Sequence, residues 1–152
     1  MKVAIDTNVF GYAAGIGFDD AKRQRAMWLL KVLNPPDMVM PSQVAGELYN
    51  ILIRKGDCPP KLASKIVKDW AQVLNMATYS PSTMSLALEG AAFHDLQIWD
   101  ALILTIASEE GCHILLSEDM QDGFVYRGVT VANPFAETPH PLLASLLQTL
   151  TE

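Results

Sequence analysis

A chain of 152 residues, half of them hydrophobic and only 18% charged, holds enough apolar material for one folded domain with its own core. Its net charge of -6 is the wrong sign for a general nucleic-acid coat, although an enzyme can still reach a phosphodiester through bound metal and a local basic patch. Cys58 and Cys112 form no disulfide framework or CxxC, no apolar stretch approaches the ~20 residues of a membrane span, and no signal-peptide pattern opens the chain, so a cytoplasmic protein is expected.

Residues 2–5 read as a buried strand, and the run "VAIDTNVF" at 3–10 is interrupted by Asp6-Thr7-Asn8. A carboxylate at that point must be solvated, paired or bound to a cation, because stripping it of water is costly. A helix over 19–33 follows, with Ala26, Leu29, Leu30 and Leu33 at helical spacing, and Asn34-Pro35-Pro36 ends it. "MVM" at 38–40 is a short strand. Pro41-Ser42 then starts a helix over 42–54, with Ser42 placed to cap it, and Gly56 and Pro59-Pro60 stop it. A helix over 61–75, a strand over 76–79, and helices over 82–92 and 97–110 come next, before the apolar strand "HILL" at 113–116. A loop at 117–123, a weaker strand at 128–132 and a leucine-striped tail complete the chain.

Strands alternating with helices imply an α/β domain, a three-layer α/β/α arrangement around a mostly parallel central sheet. Ligands in such folds collect at the carboxyl ends of the strands. Asp6 and Asp119, each just beyond a strand, are therefore expected at one edge of the sheet. Glu47 flanks the stripe of Val44, Leu48, Ile51 and Leu52. Asp100, in "QIWDALILTIA", shares a helical face with Ile103, Leu104 and Ala107, and no Lys or Arg follows it before Arg127. A buried aspartate without a cationic side chain points to a metal ion. The oxygen-only set suits one or two Mg²⁺ or Mn²⁺ ions rather than Zn²⁺, and such ions serve phosphodiester hydrolysis.

Each acid also has a plainer reading. Asp6 can close an Asx-turn or cap a helix, Glu47 can be an ordinary exposed helical residue, Asp100 can cap the helix that begins near it, and Asp119 and Asp122 can be loop residues. His94, His113 and His140 share no ligand spacing and are assigned to no catalysis. Trp28, Trp70 and Trp99 fall on helices and are expected in the core. Lys22, Arg23, Arg25, Arg54, Lys55, Lys61, Lys65 and Lys68 make either a solvated helical face or a track for an RNA backbone. Leu142, Leu143, Leu146, Leu147 and Leu150 mark a terminal helix docked on the core or at an interface.

Four segments, "VAIDTNVF", "SQVAGEL" at 42–48, "WDALIL" at 99–104 and "LLSEDMQDG" at 115–123, resemble in their order the acidic motifs of PIN domains, particularly VapC-type ribonuclease toxins. The resemblance runs over residues 1–133, leaving 134–152 as a tail. It implies a PIN-like fold and a metal-dependent endoribonuclease acting as the toxin of a type II toxin–antitoxin pair, with RNA as substrate, an antitoxin protein as partner, and a homodimer as an option. Asp6, Glu47, Asp100 and Asp119 would hold the metal, with Thr7, Asn8 and Ser117 in support. The usual last motif carries two aspartates separated by one residue, whereas here Met120-Gln121 separates Asp119 from Asp122, so Asp122 is a further ligand candidate. Two other readings stand beside this one: a catalytically silent PIN-like scaffold, and a receiver-like Mg²⁺-binding signalling domain. The receiver would need an aspartate after the middle strand and a late lysine. "MATYS" ends without an aspartate, and no lysine follows Lys68.

Overall fold

The computed structural model describes residues 1–152. Strand β1 (Val3–Ile5) runs into helix α1 (Thr7–Ala13), followed by α2 (Asp20–Val32), a 3-10 turn, β2 (Met38–Pro41), α3 (Ser42–Arg54), α4 (Pro60–Val73) and β3 (Asn75–Ala77). Then come α5 (Pro81–His94), α6 (Ile98–Glu109), β4 (Ile114–Leu116), β5 (Val125–Tyr126), β6 (Val129–Ala132) and α7 (Pro141–Thr151). The strands form one sheet in the order β3-β2-β1-β4-β6-β5, parallel except for the antiparallel edge pair β5–β6. Steps from β1 to β2 to β3 go one way along the sheet and the α5–α6 crossover returns past β1 to β4. Right-handed crossovers in opposite directions put helices on both faces.

The register decides what meets at the carboxyl edge. Ile5 pairs with Leu116 and Leu116 with Ala132, so the residues following β1 and β4, Asp6 and Ser117, leave the sheet side by side. Asp6 N–H still donates to Leu116 C=O at 3.0 Å, and Ser117 N–H to Ala132 C=O at 3.1 Å. All three residues of β1 and of β4 are buried, as expected for central parallel strands covered on both faces. Helix α6 is buried without interruption from Ala101 to Ala107. A helix apolar round its circumference has to be enclosed by protein, and α5, α3 and the sheet surround this one. At the terminus, Leu143 and Leu147 of α7 are buried and the helix touches α2, so the leucine stripe docks on the domain itself.

Several local expectations need correction. Ser42 is already the first helical residue of α3 and makes no capping bond; Pro41 occupies the cap position. Helix α1 and strand β5 went unread, and β3 lies one to two residues earlier than the alternation suggested. Of the three tryptophans only Trp70 packs inward, edge-on to Phe10 with centroids 5.3 Å apart, while Trp28 and Trp99 stay substantially exposed.

Gly90 marks the tightest contact between α5 and the sheet edge. A Cβ there would meet the Tyr126 ring at 2.9–3.0 Å and its hydroxyl more closely still, and that hydroxyl is fixed by Thr105 Oγ1 at 3.1 Å. Gly46 on α3, by contrast, faces open space. Alanine is intrinsically the better helix former by about 1 kcal/mol, so the two sites separate propensity from packing. Gly46→Ala should raise stability by up to about 1 kcal/mol. Gly90→Ala should lower it by about 1 kcal/mol or more, because overpacking outweighs propensity. Denaturant melts of the two variants check both signs.

Candidate functional site

Asp6 sits at the junction of β1 and α1 with only 5% of its surface exposed. One carboxylate oxygen accepts from Thr7 N–H at 2.7 Å, capping α1, and the other accepts from Ser117 Oγ–H at 2.7 Å. The capping reading of Asp6 is met by one oxygen, while Ser117 holds the other. No cationic side chain pairs with it. Burial pushes its pKa up to about 6; the bonds from Ser117 and Thr7 pull the other way, and the charges of Glu47 and Asp119 add to the rise.

Glu47 reaches the same place from α3. Its two oxygens accept from Thr7 Oγ1–H at 2.6 Å and from Gln43 Nε2–H at 3.0 Å. Asp119, in the exposed loop after β4, accepts from Asn8 Nδ2–H at 2.5 Å. Asp100 lies in the first turn of α6, half-buried. Gln97 caps that helix by accepting from the Asp100 N–H at 3.2 Å, so the Asp100 carboxylate is not spent on the cap. Burial raises its pKa first, and the charges of Asp119 and Glu47 raise it further. The charges of Glu47 and Asp119 thus act on both Asp6 and Asp100. Asp122 stands apart: it is exposed and accepts from Asn133 N–H at 2.8 Å, and it perturbs neither Asp6 nor Asp100.

Two participants escaped the sequence reading. Gln43 is one helical turn before Glu47, a spacing that could have exposed it. Glu118 turns away from the acidic group to meet Lys22 Nζ at 2.5 Å, with the Tyr12 hydroxyl 3.4 Å from the same nitrogen, and its second oxygen is buried without a partner. Ninety-six positions separate Lys22 from Glu118, so no local pattern could pair them. Lys22 is thus neither a freely solvated charge nor an unpaired one. Burial pushes the Cys112 thiol up to about 12, which removes it as a thiolate nucleophile.

No three Asp, Glu, His or Cys side chains close into a ready-made metal cage. Neutral donors, Thr7, Asn8, Gln43 and Ser117, orient Asp6, Glu47 and Asp119. Mg²⁺ keeps several of its waters and needs only one or two carboxylates from a protein, so an open, oxygen-only group with a raised Asp6 pKa and no cationic partner has the right chemistry for it.

No helix is long and apolar enough to cross a membrane. No curated protein matches the sequence. Among solved structures, the fold is similar to that of VapC20 of Mycobacterium tuberculosis, described as a toxin that cleaves the sarcin-ricin loop. That match has a TM-score of 0.60 and 17% identity, covering 78% of this chain and 92% of the other. A toxin–antitoxin complex from Klebsiella pneumoniae is similar with a TM-score of 0.65 and 16% identity, covering 88% and 98%. FitAcB from Neisseria gonorrhoeae is similar with a TM-score of 0.61 and 17% identity, again covering 88% and 98%. The PIN domain family matches residues 3–122, a stretch that contains Asp6, Glu47, Asp100 and Asp119 in order, and the chain belongs to that family.

Proposed function

We propose that this protein is a metal-dependent endoribonuclease and the toxin of a type II toxin–antitoxin pair, with an antitoxin protein as its partner. The observation that supports the reading is that Thr7 and Asn8, two consecutive residues just after β1, hydrogen-bond to Glu47 and Asp119 beside the buried Asp6, and that none of these three acids has an ion pair. The cellular role draws support from solved relatives described as toxins or toxin–antitoxin complexes.

Asp6, Glu47, Asp100 and Asp119 would hold Mg²⁺ or Mn²⁺, with Asp122 a candidate for an outer position. When bound, the metal supplies positive charge against the scissile phosphodiester and acidifies the attacking water. Asp6 is the fixed end of the site, its orientation set by Ser117 and Thr7. Thr7 also orients Glu47, so one residue aligns two acids. Asn8 holds Asp119, the most exposed member, where it borders incoming substrate. A catalytically silent scaffold would keep the same hydrogen bonds, and a cleavage assay separates the two. RNA cleavage should require Mg²⁺ or Mn²⁺ and stop in EDTA; cleavage that persists in chelator, with contaminating nuclease excluded, would reject the mechanism.

Asp100 and Asp6 supply sharper tests. Without metal, Asp100 contributes only like-charge repulsion and desolvation cost, so Asp100→Asn should leave the metal-free protein as stable or more so. The same change should weaken Mn²⁺ binding by at least the ~10-fold that loss of an outer metal-site partner costs, and should abolish cleavage. Melts with and without Mn²⁺, calorimetric titration and an RNA assay read the three effects.

The folded-state pKa of Asp6, about 6, lies above the ordinary carboxylate value of 3.8, so the folded state binds the proton more tightly than the unfolded chain does. That contribution is complete below about pH 4 and is lost as pH rises through 6, costing about 3 kcal/mol. Metal binding needs the carboxylate and should strengthen over the same interval. Asp6→Asn should flatten this part of the metal-free stability curve relative to wild type; superimposable pH curves would show that Asp6 is not the titrating group.

A further inference from the structure

We infer that the cleft between the end of α5 and strand β5 is a subsite for one unpaired nucleobase of a single-stranded RNA, a reading that rests on the endoribonuclease assignment above. The cleft has a volume of about 830 Å³, within the size range of small-molecule sites. Phe93, His94, Val125, Tyr126 and Arg127 line it, with Glu89 at its rim. Phe93 is 83% exposed and Val125 59% exposed, which is apolar surface that folding has left uncovered. Unstacked bases are held by aromatic faces together with a nearby cation. Phe93 stands edge-on to His94 with centroids 4.8 Å apart, and His94 in turn meets Phe124 and Tyr126 at 5.6 and 5.8 Å, so the exposed Phe93 ring rests on a braced aromatic cluster.

The floor and the cation are also fixed. Tyr126 is buried and its hydroxyl is engaged with Thr105. Arg127, at a left-handed φ of 45°, has its carbonyl held by Ser108 Oγ–H at 2.9 Å. Its guanidinium lies 5.9 Å from the Tyr126 ring and has no acidic partner, which leaves it free for a phosphate. A stable protein interface needs about 800 Å² from each partner, whereas this feature is a concave site of eight lining residues. Phe93 and His94 close α5 just before the chain enters the first turn of α6, which carries Asp100, whereas Arg127 lies beside Ser108 in the last turn of α6, so the cleft runs from the acid-bearing end of that helix toward its far end. The His94–Phe124 contact ties the end of α5 to the residue that precedes β5. A strand bound at the acids that continues along α6 can therefore lay a base a few nucleotides away against Phe93, with Arg127 beyond it.

The test uses the full-length protein and a short, fluorescently labelled, mixed-sequence oligoribonucleotide, single-stranded or annealed to its complement. Anisotropy in EDTA reads binding apart from catalysis, and KM and kcat are then measured in Mn²⁺. Phe93→Ala should raise the Kd and KM for the single strand by about 5-fold or more, the least that loss of one stacked base costs. It should leave kcat and duplex affinity unchanged, and Phe93→Trp should restore tight binding. Arg127→Gln should weaken binding and reduce its salt dependence. Both side chains are exposed, and thermal melts confirm that the variants fold. Wild-type Kd in Phe93→Ala, with wild-type protein cleaving RNA, overturns the subsite alone. Loss of self-association by light scattering, with RNA affinity unchanged, overturns it in favour of a protein interface. Failure of the wild type to bind or cleave RNA overturns the endoribonuclease reading and the subsite together.

Discussion

A single buried carboxylate governs the architecture at the working edge of this sheet. Asp6 is removed from water at the end of β1, and its two oxygens are met by a backbone N–H and a serine hydroxyl rather than by a positive charge. Neutral hydrogen bonds orient a carboxylate but only partly offset its desolvation, as the raised pKa of Asp6 records. Everything around it follows from that imbalance. Its acidic neighbours Glu47 and Asp119 add to that cost and are met in the same way, by neutral donors.

Hydroxyl and amide side chains are those donors. Thr7 donates its backbone N–H to Asp6 and its hydroxyl to Glu47, and Asn8, the next residue, donates to Asp119. Two consecutive residues thereby tie β1 to α3 and to the loop after β4. Lys or Arg in their place would neutralise the acids and compete with metal. Threonine and asparagine fix the geometry while leaving the negative charge intact. The interruption of "VAIDTNVF" is thus the device that converts the end of a buried strand into a site.

How far this could be read in the chain depended on the range of the interactions involved. Long periodic segments such as 42–54 were legible because Val44, Leu48 and Leu52 repeat on one face, and all three are buried. Asp100 stood out because apolar residues surround it. Helix α1 was hidden: its seven residues begin within the polar interruption and offer less than two full turns of pattern. Strand β5, two residues long, exists only because β6 pairs with it. Trp28 and Trp99 were misread because their presence on helices says nothing about which face is covered. Asp6, Glu47, Asp100 and Asp119 could be picked out in the chain, but the donors that hold three of them were only partly legible. Thr7, Asn8 and Ser117 lie beside acids in sequence, whereas Glu118's link to Lys22 joins residues 96 positions apart and leaves no local trace.

The loop after β4 shows why the site is nevertheless well defined where regular structure ends. Ser117 is bound to Asp6, Glu118 to Lys22 of α2, Asp119 to Asn8 of α1 and Asp122 to the backbone of Asn133, while Met120 is buried among apolar neighbours. Four successive polar anchors thus lead to four different places in the fold, so the loop cannot shift as a unit without breaking several contacts at once. Glu118 is the revealing member, because one of its oxygens is buried unpaired and that cost is tolerated only beside the Lys22 ammonium. A carboxylate that faces α2 is thereby neutralised within the protein, and the acid that follows it faces the site and is not. Alternation along Glu118-Asp119 sorts structural charge from charge left available to a cation, and it does so in adjacent residues of identical sign.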